Sequence, residues 1–198
     1  MRNIAVITII ALGIALALAS AGAGALTPVP AFAARQDEAH VVEAKGLISR
    51  DAVRPGETFQ AAVVLKIQAG YHINDNAPVD EFMIPTVLTV LESPDIEVLD
   101  TYYPGGRRAR FSYSEVELVV YEGETVLGLL LKAKAGLAPG PRTVKVSLGY
   151  QACDAMSCLP PKELAFEIAV PVAATDSSPA AYVKPELFKK LRFKSLNK

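Results

Sequence analysis

Residues 143–170 read TVKVSLGYQACDAMSCLPPKELAFEIAV and contain two alternating segments on either side of a short loop. The apolar positions that alternate with other residues are Val144, Val146, Leu148 and Tyr150 before the loop, and Leu164, Phe166, Ile168 and Val170 after it. Alternation with a period of two is typical of strands that bury one face. The stretch therefore predicts a β-hairpin, and the loop at its tip holds Cys153 and Cys158, the two cysteines of the chain.

Further strand candidates precede this hairpin along the chain. They are His40–Leu47, Phe59–Ile67, Ile84–Leu91, Ile96–Tyr103, Glu115–Tyr121 and Thr125–Ala133. Turn-forming groups such as Arg54-Pro55-Gly56 and Pro139-Gly140-Pro141 lie between candidates. About eight strands at this spacing, with little helical periodicity, predict an all-β fold, an immunoglobulin-like antiparallel β-sandwich.

The N-terminus has the order of features that marks a secretory signal. A short basic start, Met1–Asn3, is followed by an apolar stretch from Ile4 to about Ala25 and by Ala31-Phe32-Ala33. This pattern predicts a signal peptide over residues 1–33 that is cleaved after export. The apolar stretch is also about long enough to span a bilayer, so the alternative is a retained membrane anchor.

The charge balance and the composition of the C-terminus restrict the functions that remain possible. Without Arg2 of the leader, 19 Lys and Arg residues face 21 Asp and Glu residues, which gives no basic surplus for nucleic acid. Residues 173–198 are predicted to be a linker followed by a basic amphipathic tail. That tail either contacts a membrane or a partner, or is a solvated or loosely docked end.

The cysteine pair allows three chemical interpretations when it is considered by itself. A bond between Cys153 and Cys158 closes a six-residue loop, and the chain-entropy estimate for such a loop is only about 2 kcal/mol. A structural disulfide and a redox-active pair that exchanges with an outside thiolate are both compatible with this spacing. Cys153, Met156 and Cys158 are also three soft ligands of the kind that copper(I) prefers.

Two sequence blocks favour the redox-active interpretation because they resemble a known family, while a non-enzymatic binding module with a structural disulfide and a copper(I) chaperone stay the alternatives. Tyr150-Gln151-Ala152-Cys153 with Cys158-Leu159-Pro160-Pro161 is similar to the cysteine hairpin of the N-terminal periplasmic domain of DsbD, the thiol–disulfide interchange protein. The block from Gly70 to Thr86, GYHINDNAPVDEFMIPT, is similar to a second block of the same family. The resemblance implies an immunoglobulin-like domain over residues 34–172, located in the periplasm, with a reversible cysteine pair.

The resemblance also implies roles and partners. Cys153 and Cys158 correspond to the catalytic redox pair, in which Cys158 forms mixed disulfides with partners and Cys153 resolves them. Electrons are expected from a thioredoxin-like donor domain that is supplied by a membrane electron carrier of the DsbD/CcdA type. The acceptors are periplasmic thiol proteins, including factors of cytochrome c maturation. The chain would thus be a protein-disulfide reductase component that needs no cofactor and no metal.

Three further residues are candidates for the surroundings of the pair. The family shields its cysteines with the phenylalanine of a cap loop, and Phe111 in the segment Arg107–Tyr113 is the matching candidate. His72 and Asn74 align with tyrosines that flank the pair in well-known members. Two departures are visible: Ala109-Arg110 replaces an acidic pair before the cap phenylalanine, and the cysteine loop has four intervening residues where those members have five.

Overall fold

The computed structural model describes residues 41–91, 93–178 and 180–196, and within these ranges the chain is nearly all β. The strands are β1 Val42–Ile48, β2 Thr58–Ile67, β3 His72–Asn74, β4 Val87–Val90, β5 Ile96–Tyr102, β6 Arg107–Ala109, β7 Leu118–Tyr121, β8 Glu124–Ala133, β9 Gly140–Tyr150, β10 Ala152–Cys153 and β11 Lys162–Val172. A single helical turn, α1 at Pro185–Phe188, and a 3-10 turn at Lys194–Leu196 lie near the end. The predicted all-β class is confirmed.

The strands of the described part pair into three antiparallel sheets. The first has the order β1-β2-β8-β5, the second β10-β3-β7-β6 and the third β11-β9-β4. The predicted hairpin is the pair of β9 and β11, whose register sets Val146 opposite Phe166. This arrangement agrees with the expected immunoglobulin-like antiparallel sandwich.

Alternating apolar residues of the long strands build one buried core. Val63 of β2, Leu129 of β8, Val146 of β9 and Ile168 of β11 all belong to it. Each such side chain contributes about 1.5–3 kcal/mol when it is removed from water. The first and third sheets approach closely, since Gly46 of β1 leaves no room for a Cβ atom against Ile168.

The first sheet is covered on its other face by the C-terminal segment. Phe188, Leu191 and Phe193 are buried and pack with Ala62 of β2 and Leu130 of β8. Because one set of β8 side chains faces the core and the other faces this segment, the strand is apolar on both sides. Gly128 fits the same contact, since a Cβ atom there would lie 2.9 Å from the Phe193 ring.

Backbone hydrogen bonds hold the chain after β11 to the body of the domain. The Ala173 amide donates to the Val53 carbonyl at 2.8 Å, and the Val183 amide donates to the Ser49 carbonyl at 2.9 Å. Arg50 lies 3.8 Å from the centre of the Tyr182 ring. Residues in the predicted linker and tail are therefore docked on the sandwich, with Phe188, Leu191 and Phe193 turned inward.

Several strand boundaries differ from the sequence prediction. The strand predicted at Ile84–Leu91 begins only at Val87, because Ile84 and Thr86 belong to a loop that bonds to Asn74. The strand predicted at Glu115–Tyr121 begins at Leu118. The short strands β3, β6 and β10 have no counterpart among the predicted segments, since two or three residues are too few to show a period.

The predicted signal peptide, residues 1–33, and His40 lie outside the described residues. In the part of the chain that the structure describes, no helix has the length and apolar character needed to cross a membrane.

Candidate functional site

The loop of residues 153–158, called the cysteine loop below, joins Cys153 to Cys158 by a disulfide with 3.9 Å between the Cα atoms. The two residues face each other as an antiparallel bridge. Two backbone hydrogen bonds frame the bridge: the Asp154 amide donates to the Ser157 carbonyl at 2.9 Å, and the Leu159 amide donates to the Ala152 carbonyl at 2.8 Å. The disulfide is thus carried on a tight turn that continues β10.

Asp154 organises the turn of the cysteine loop. One oxygen of its carboxylate accepts the backbone amides of Met156 at 2.7 Å and Ser157 at 2.8 Å. These two hydrogen bonds favour the ionised form and hold the pKa of Asp154 below its ordinary value. A negative charge therefore stands next to Cys153 at neutral pH.

The two cysteines differ in their access to solvent. Cys153 is completely buried, whereas Cys158 is only partly buried. An external thiolate must reach the sulfur that it attacks, so accessibility favours attack at Cys158. Cys153 would then be the leaving group, and the short loop keeps it next to the bond that it must re-form.

His72 is the direct cross-strand neighbour of Cys153, in the pairing of β3 with β10. Its imidazole is buried, and its Nε2 atom shares a hydrogen bond of 2.6 Å with the hydroxyl of Tyr113. Burial lowers the pKa of His72, while the charges of Glu122 and Asp154 act to raise it and that of Arg107 to lower it. The neutral imidazole is therefore the favoured form in this site.

The loop between β6 and β7, residues 110–117, lies against this histidine and is called the cap loop. The Phe111 ring stacks on His72 with the ring centres 4.0 Å apart, and the Tyr113 ring stacks on Phe111 at 5.3 Å. The Ser112 hydroxyl donates to the Ala155 carbonyl at 3.4 Å, which links the cap loop to the cysteine loop. Phe111 and His72 thus meet beside the cysteine pair.

Tyr113 completes the site and was missed in the sequence prediction. Burial, aided by the charge of Asp154, raises the pKa of its phenol to about 12, so the hydroxyl stays protonated. The available signal was the spacing of Phe111 and Tyr113 in a polar stretch, RFSYSE, which places both rings on one side of an extended segment.

Asn74 serves a neighbouring loop instead of the cysteines. It lies on β3 and is buried, and its Nδ2 atom donates to the Ile84 carbonyl at 3.0 Å. The Thr86 hydroxyl donates to the Asn74 carbonyl at 2.6 Å. Among the described residues, its Oδ1 atom has no hydrogen-bond partner. Asn74 therefore ties the C-terminal end of the β3–β4 loop, residues 75–86, to β3 at the edge of the site.

A shallow cavity of about 320 Å³ opens beside the stacked rings. It is lined by residues that include His72, Phe111, Glu122 and Ala155. Glu122 is held by two hydrogen bonds from the guanidinium of Arg107, at 2.6 and 2.8 Å. Within residues 41–91, 93–178 and 180–196, no three His, Cys, Asp or Glu side chains are grouped as ligands for a metal ion.

Comparison with known families identifies the domain. Residues 38–169, most of the chain, match the family described as thiol:disulfide interchange protein DsbD, N-terminal. The chain belongs to this family. Its Cys153–Cys158 disulfide therefore lies on a domain of the DsbD N-terminal family.

Among solved structures, the chain is similar to the crystal structure of the N-terminal periplasmic domain of ScsB from Proteus mirabilis. The TM-score is 0.49 at 9% sequence identity, and the match covers 78% of this chain and 53% of that one. The chain therefore spans about half the length of that protein. A search among curated proteins gives no match. The assignment to the DsbD N-terminal family rests on the family match itself.

Proposed function

We propose that this domain relays electrons between thiol proteins of the periplasm through reversible opening of the Cys153–Cys158 disulfide. The observation that carries the proposal is the asymmetry of that bond on a DsbD N-terminal domain, with Cys158 partly exposed and Cys153 buried. A permanent staple gains little from a loop of six residues, since closure of so small a loop contributes only about 2 kcal/mol.

The exchange has two steps, both at sulfur. A thiolate of the donor attacks Sγ of Cys158, a new donor–Cys158 disulfide forms, and Cys153 leaves as a thiolate that takes up a proton. The second thiolate of the donor then attacks the donor sulfur of this mixed disulfide, and Cys158 leaves as a thiolate that is protonated in turn. The pair gains two electrons and two protons, and the donor dithiol becomes a disulfide.

We assign the proton that arrives at Cys153 Sγ to His72. The histidine is the cross-strand neighbour of Cys153, and its neutral imidazole can pass on a proton from solvent: one ring nitrogen gives its proton to the Cys153 thiolate as the other takes one up, and the ring ends neutral. Asp154 acts in the same direction, because its adjacent negative charge disfavours a Cys153 thiolate and so promotes protonation. Phe111, stacked on His72, is assigned as the cap of the site.

Family membership supports the choice of partners. We propose a thioredoxin-like domain as donor, supplied in turn by a membrane electron carrier of the DsbD/CcdA type. The acceptors are periplasmic disulfide-bonded proteins, among them cytochrome c maturation factors. The apolar leader of residues 1–33 supports export to the periplasm, where the relay would act.

Trapping with single-cysteine variants tests the proposal. Cys153→Ser leaves a free Cys158, and Cys158→Ser leaves a free Cys153. Each variant is mixed with a thioredoxin that keeps one active-site cysteine, activated as its thionitrobenzoate disulfide, and release of thionitrobenzoate is followed. We expect Cys153→Ser to form the mixed disulfide about tenfold faster or more, because thiol reactivity follows access.

The two variants control for each other, since both lack the disulfide. Equal rates, or a faster Cys158→Ser variant, contradict the assignment of Cys158 as the attacked residue. A wild-type disulfide that reduced thioredoxin leaves intact in the folded protein identifies a structural staple. Tight copper(I) binding by the reduced protein, lost in Met156→Ala, would instead support a copper chaperone.

A further inference from the structure

Exposed apolar side chains collect on the loops around the cysteine pair. Phe82 and Val79 of the β3–β4 loop are 81% and 73% exposed, and Met156 of the cysteine loop is 76% exposed. Val116 of the cap loop is also exposed. Single exposed apolar residues are ordinary, but a group that includes a phenylalanine marks an interaction site. Val79, Phe82, Val116 and Met156 are called the apolar rim.

The cap loop touches both of the other loops that carry the apolar rim. The Ser114 hydroxyl of the cap loop donates to the Asp80 carboxylate of the β3–β4 loop at 3.1 Å. The Ser112 hydroxyl of the cap loop donates to the Ala155 carbonyl of the cysteine loop at 3.4 Å. The rim residues are therefore parts of one surface at the cysteine end of the domain.

The outward position of Phe82 is held by hydrogen bonds within its loop. The Asp80 carboxylate accepts the Phe82 amide at 3.0 Å through one oxygen and the Ser114 hydroxyl through the other. At the ends of the loop, the Thr86 amide donates to the Asp75 carbonyl at 2.9 Å, and Asn74 binds the Ile84 carbonyl. This network fixes the backbone while it leaves the phenylalanine ring in solvent.

We propose that the apolar rim, with Phe82 as its anchor, is the surface on which the thioredoxin-like donor docks before it attacks Cys158. The inference rests on the proposed function. A donor sulfur that bonds to Cys158 brings the donor surface over the cysteine loop and over the loops that contact it. Exposed apolar side chains in such a covered position supply the binding energy of an interface.

The domain's own C-terminal segment packs on the first sheet and is not available to cover the apolar rim. Phe188, Leu191 and Phe193 of that segment are already buried against Ala62 and Leu130 of the first sheet. The occupant of the apolar rim is thus a separate protein. In the proposed relay this protein is the donor, because its sulfur must reach Cys158 at this end of the molecule.

The test compares reduction by a protein with reduction by a small dithiol. The full exported chain carries Val79→Ser with Phe82→Ser, and its disulfide is reduced either by reduced thioredoxin or by dithiothreitol. We expect the second-order rate with thioredoxin to fall about tenfold, as an interface anchor is lost, while the rate with dithiothreitol stays unchanged. A separate Phe82→Leu variant keeps an apolar side chain at this position and should retain most of the wild-type rate with thioredoxin.

A matched control removes exposed apolar residues away from the rim. Leu91, 42% exposed, and Val98 are changed together to serine, and the thioredoxin rate should not move. Equal thioredoxin rates for the rim variant and the wild type overturn the docking surface but leave the relay intact. A second outcome has the same meaning: if the wild type forms a dimer and the rim variant does not, the occupant of the apolar rim is a second copy of this chain. A wild-type disulfide that thioredoxin cannot reduce contradicts the relay and the docking surface together.

Discussion

At the scale of single residues, His72 connects the two halves of the site. Its backbone pairs with that of Cys153, and its ring carries both the stack of Phe111 and the hydrogen bond of Tyr113. Where well-known relatives have a tyrosine at this position, this chain has an imidazole whose pKa is lowered by burial. The charge state of one buried side chain therefore bears on both the cysteine turn and its cap.

The protonation of His72 gives a stability that depends on pH in a defined direction. Burial lowers the pKa of His72 below 6.5, so the folded protein binds this proton less readily than the unfolded chain. The contribution of the neutral His72 to the free energy of unfolding is complete above pH 6.5, and it is lost as the pH falls through the pKa of the folded state. We expect the free energy of unfolding, measured with urea, to decrease between pH 7.5 and pH 5.

A His72→Phe variant is the control for this pH dependence. Phenylalanine keeps an aromatic ring that can stack on Phe111 but has no titrating group, so the decrease between pH 7.5 and pH 5 should become smaller. The contribution of Asp154 is separate, because its lowered pKa acts only below the ordinary value of 3.8. An identical pH profile in variant and wild type would rule out the buried neutral imidazole.

At the residue scale, the sequence predicted which residues belong to the site better than it predicted which residues contact one another. The motifs around Cys153 and Cys158 and the alignment of His72 and Phe111 identified groups that the fold brings together. Asn74 was grouped with them by alignment, yet its hydrogen bonds go to Ile84 and Thr86 of the β3–β4 loop. Exchange at the cysteine pair, as distinct from the presence of the disulfide, stays a prediction.

At the scale of elements, the cap loop is attached to the site by few interactions. They are the ring stack of Phe111 on His72, the Tyr113 hydrogen bond, and the hydroxyl contacts of Ser112 and Ser114. The loop contains no regular structure between β6 and β7. Such an element opens locally at a lower free energy than the core strands do, which suits the proposed cap, whose movement would widen the access to the cysteine pair.

Removal of the Phe111 ring should make the disulfide more reactive. An aromatic stack contributes about 1 kcal/mol, so Phe111→Ala is expected to raise the open population of the cap and the dithiothreitol reduction rate roughly fivefold. Phe111→Tyr, which keeps the stack on His72, is the matched control and should react like the wild type. A Phe111→Ala rate equal to that of the wild type would contradict the shielding role.

The elements that the sequence missed are those whose stability comes entirely from neighbours. β3 and β10 have three and two residues; β10 exists because it pairs with β3, and β3 because it pairs with β10 and β7. No periodicity can mark so short a segment, whereas β2, β9 and β11 have ten or eleven residues and show theirs clearly. The site is assembled mainly from the kind of element that pattern alone does not reveal.

At the scale of the whole molecule, the domain buries the central strands of its first sheet, β2 and β8, on both faces. The core covers one face, and the C-terminal segment covers the other with Phe188, Leu191 and Phe193. The run of leucines in β8 predicted a strand, and a docked end was one of the alternatives for the basic tail, but the sequence did not indicate that the tail packs on β2 and β8. The partner surface for that tail is created only when β2 and β8 pair.

The docked segment should contribute measurably to global stability. Phe193 is buried against Gly128 and Leu130, so Phe193→Ala is expected to lower the free energy of unfolding by about 3 kcal/mol or more. Leu196→Ala, at an exposed position of the same segment, should change it by less than about 0.5 kcal/mol. Urea unfolding measures both, and equal effects would show that the segment is not docked in solution.

The reduction potential of the Cys153–Cys158 pair tests the central claim most directly. The folded protein is equilibrated with glutathione or dithiothreitol buffers of known potential, and the reduced fraction is read from alkylation and mass. A relay predicts a potential between about −120 and −270 mV, the range of proteins that exchange disulfides. A potential below about −300 mV, typical of structural disulfides, would contradict the account.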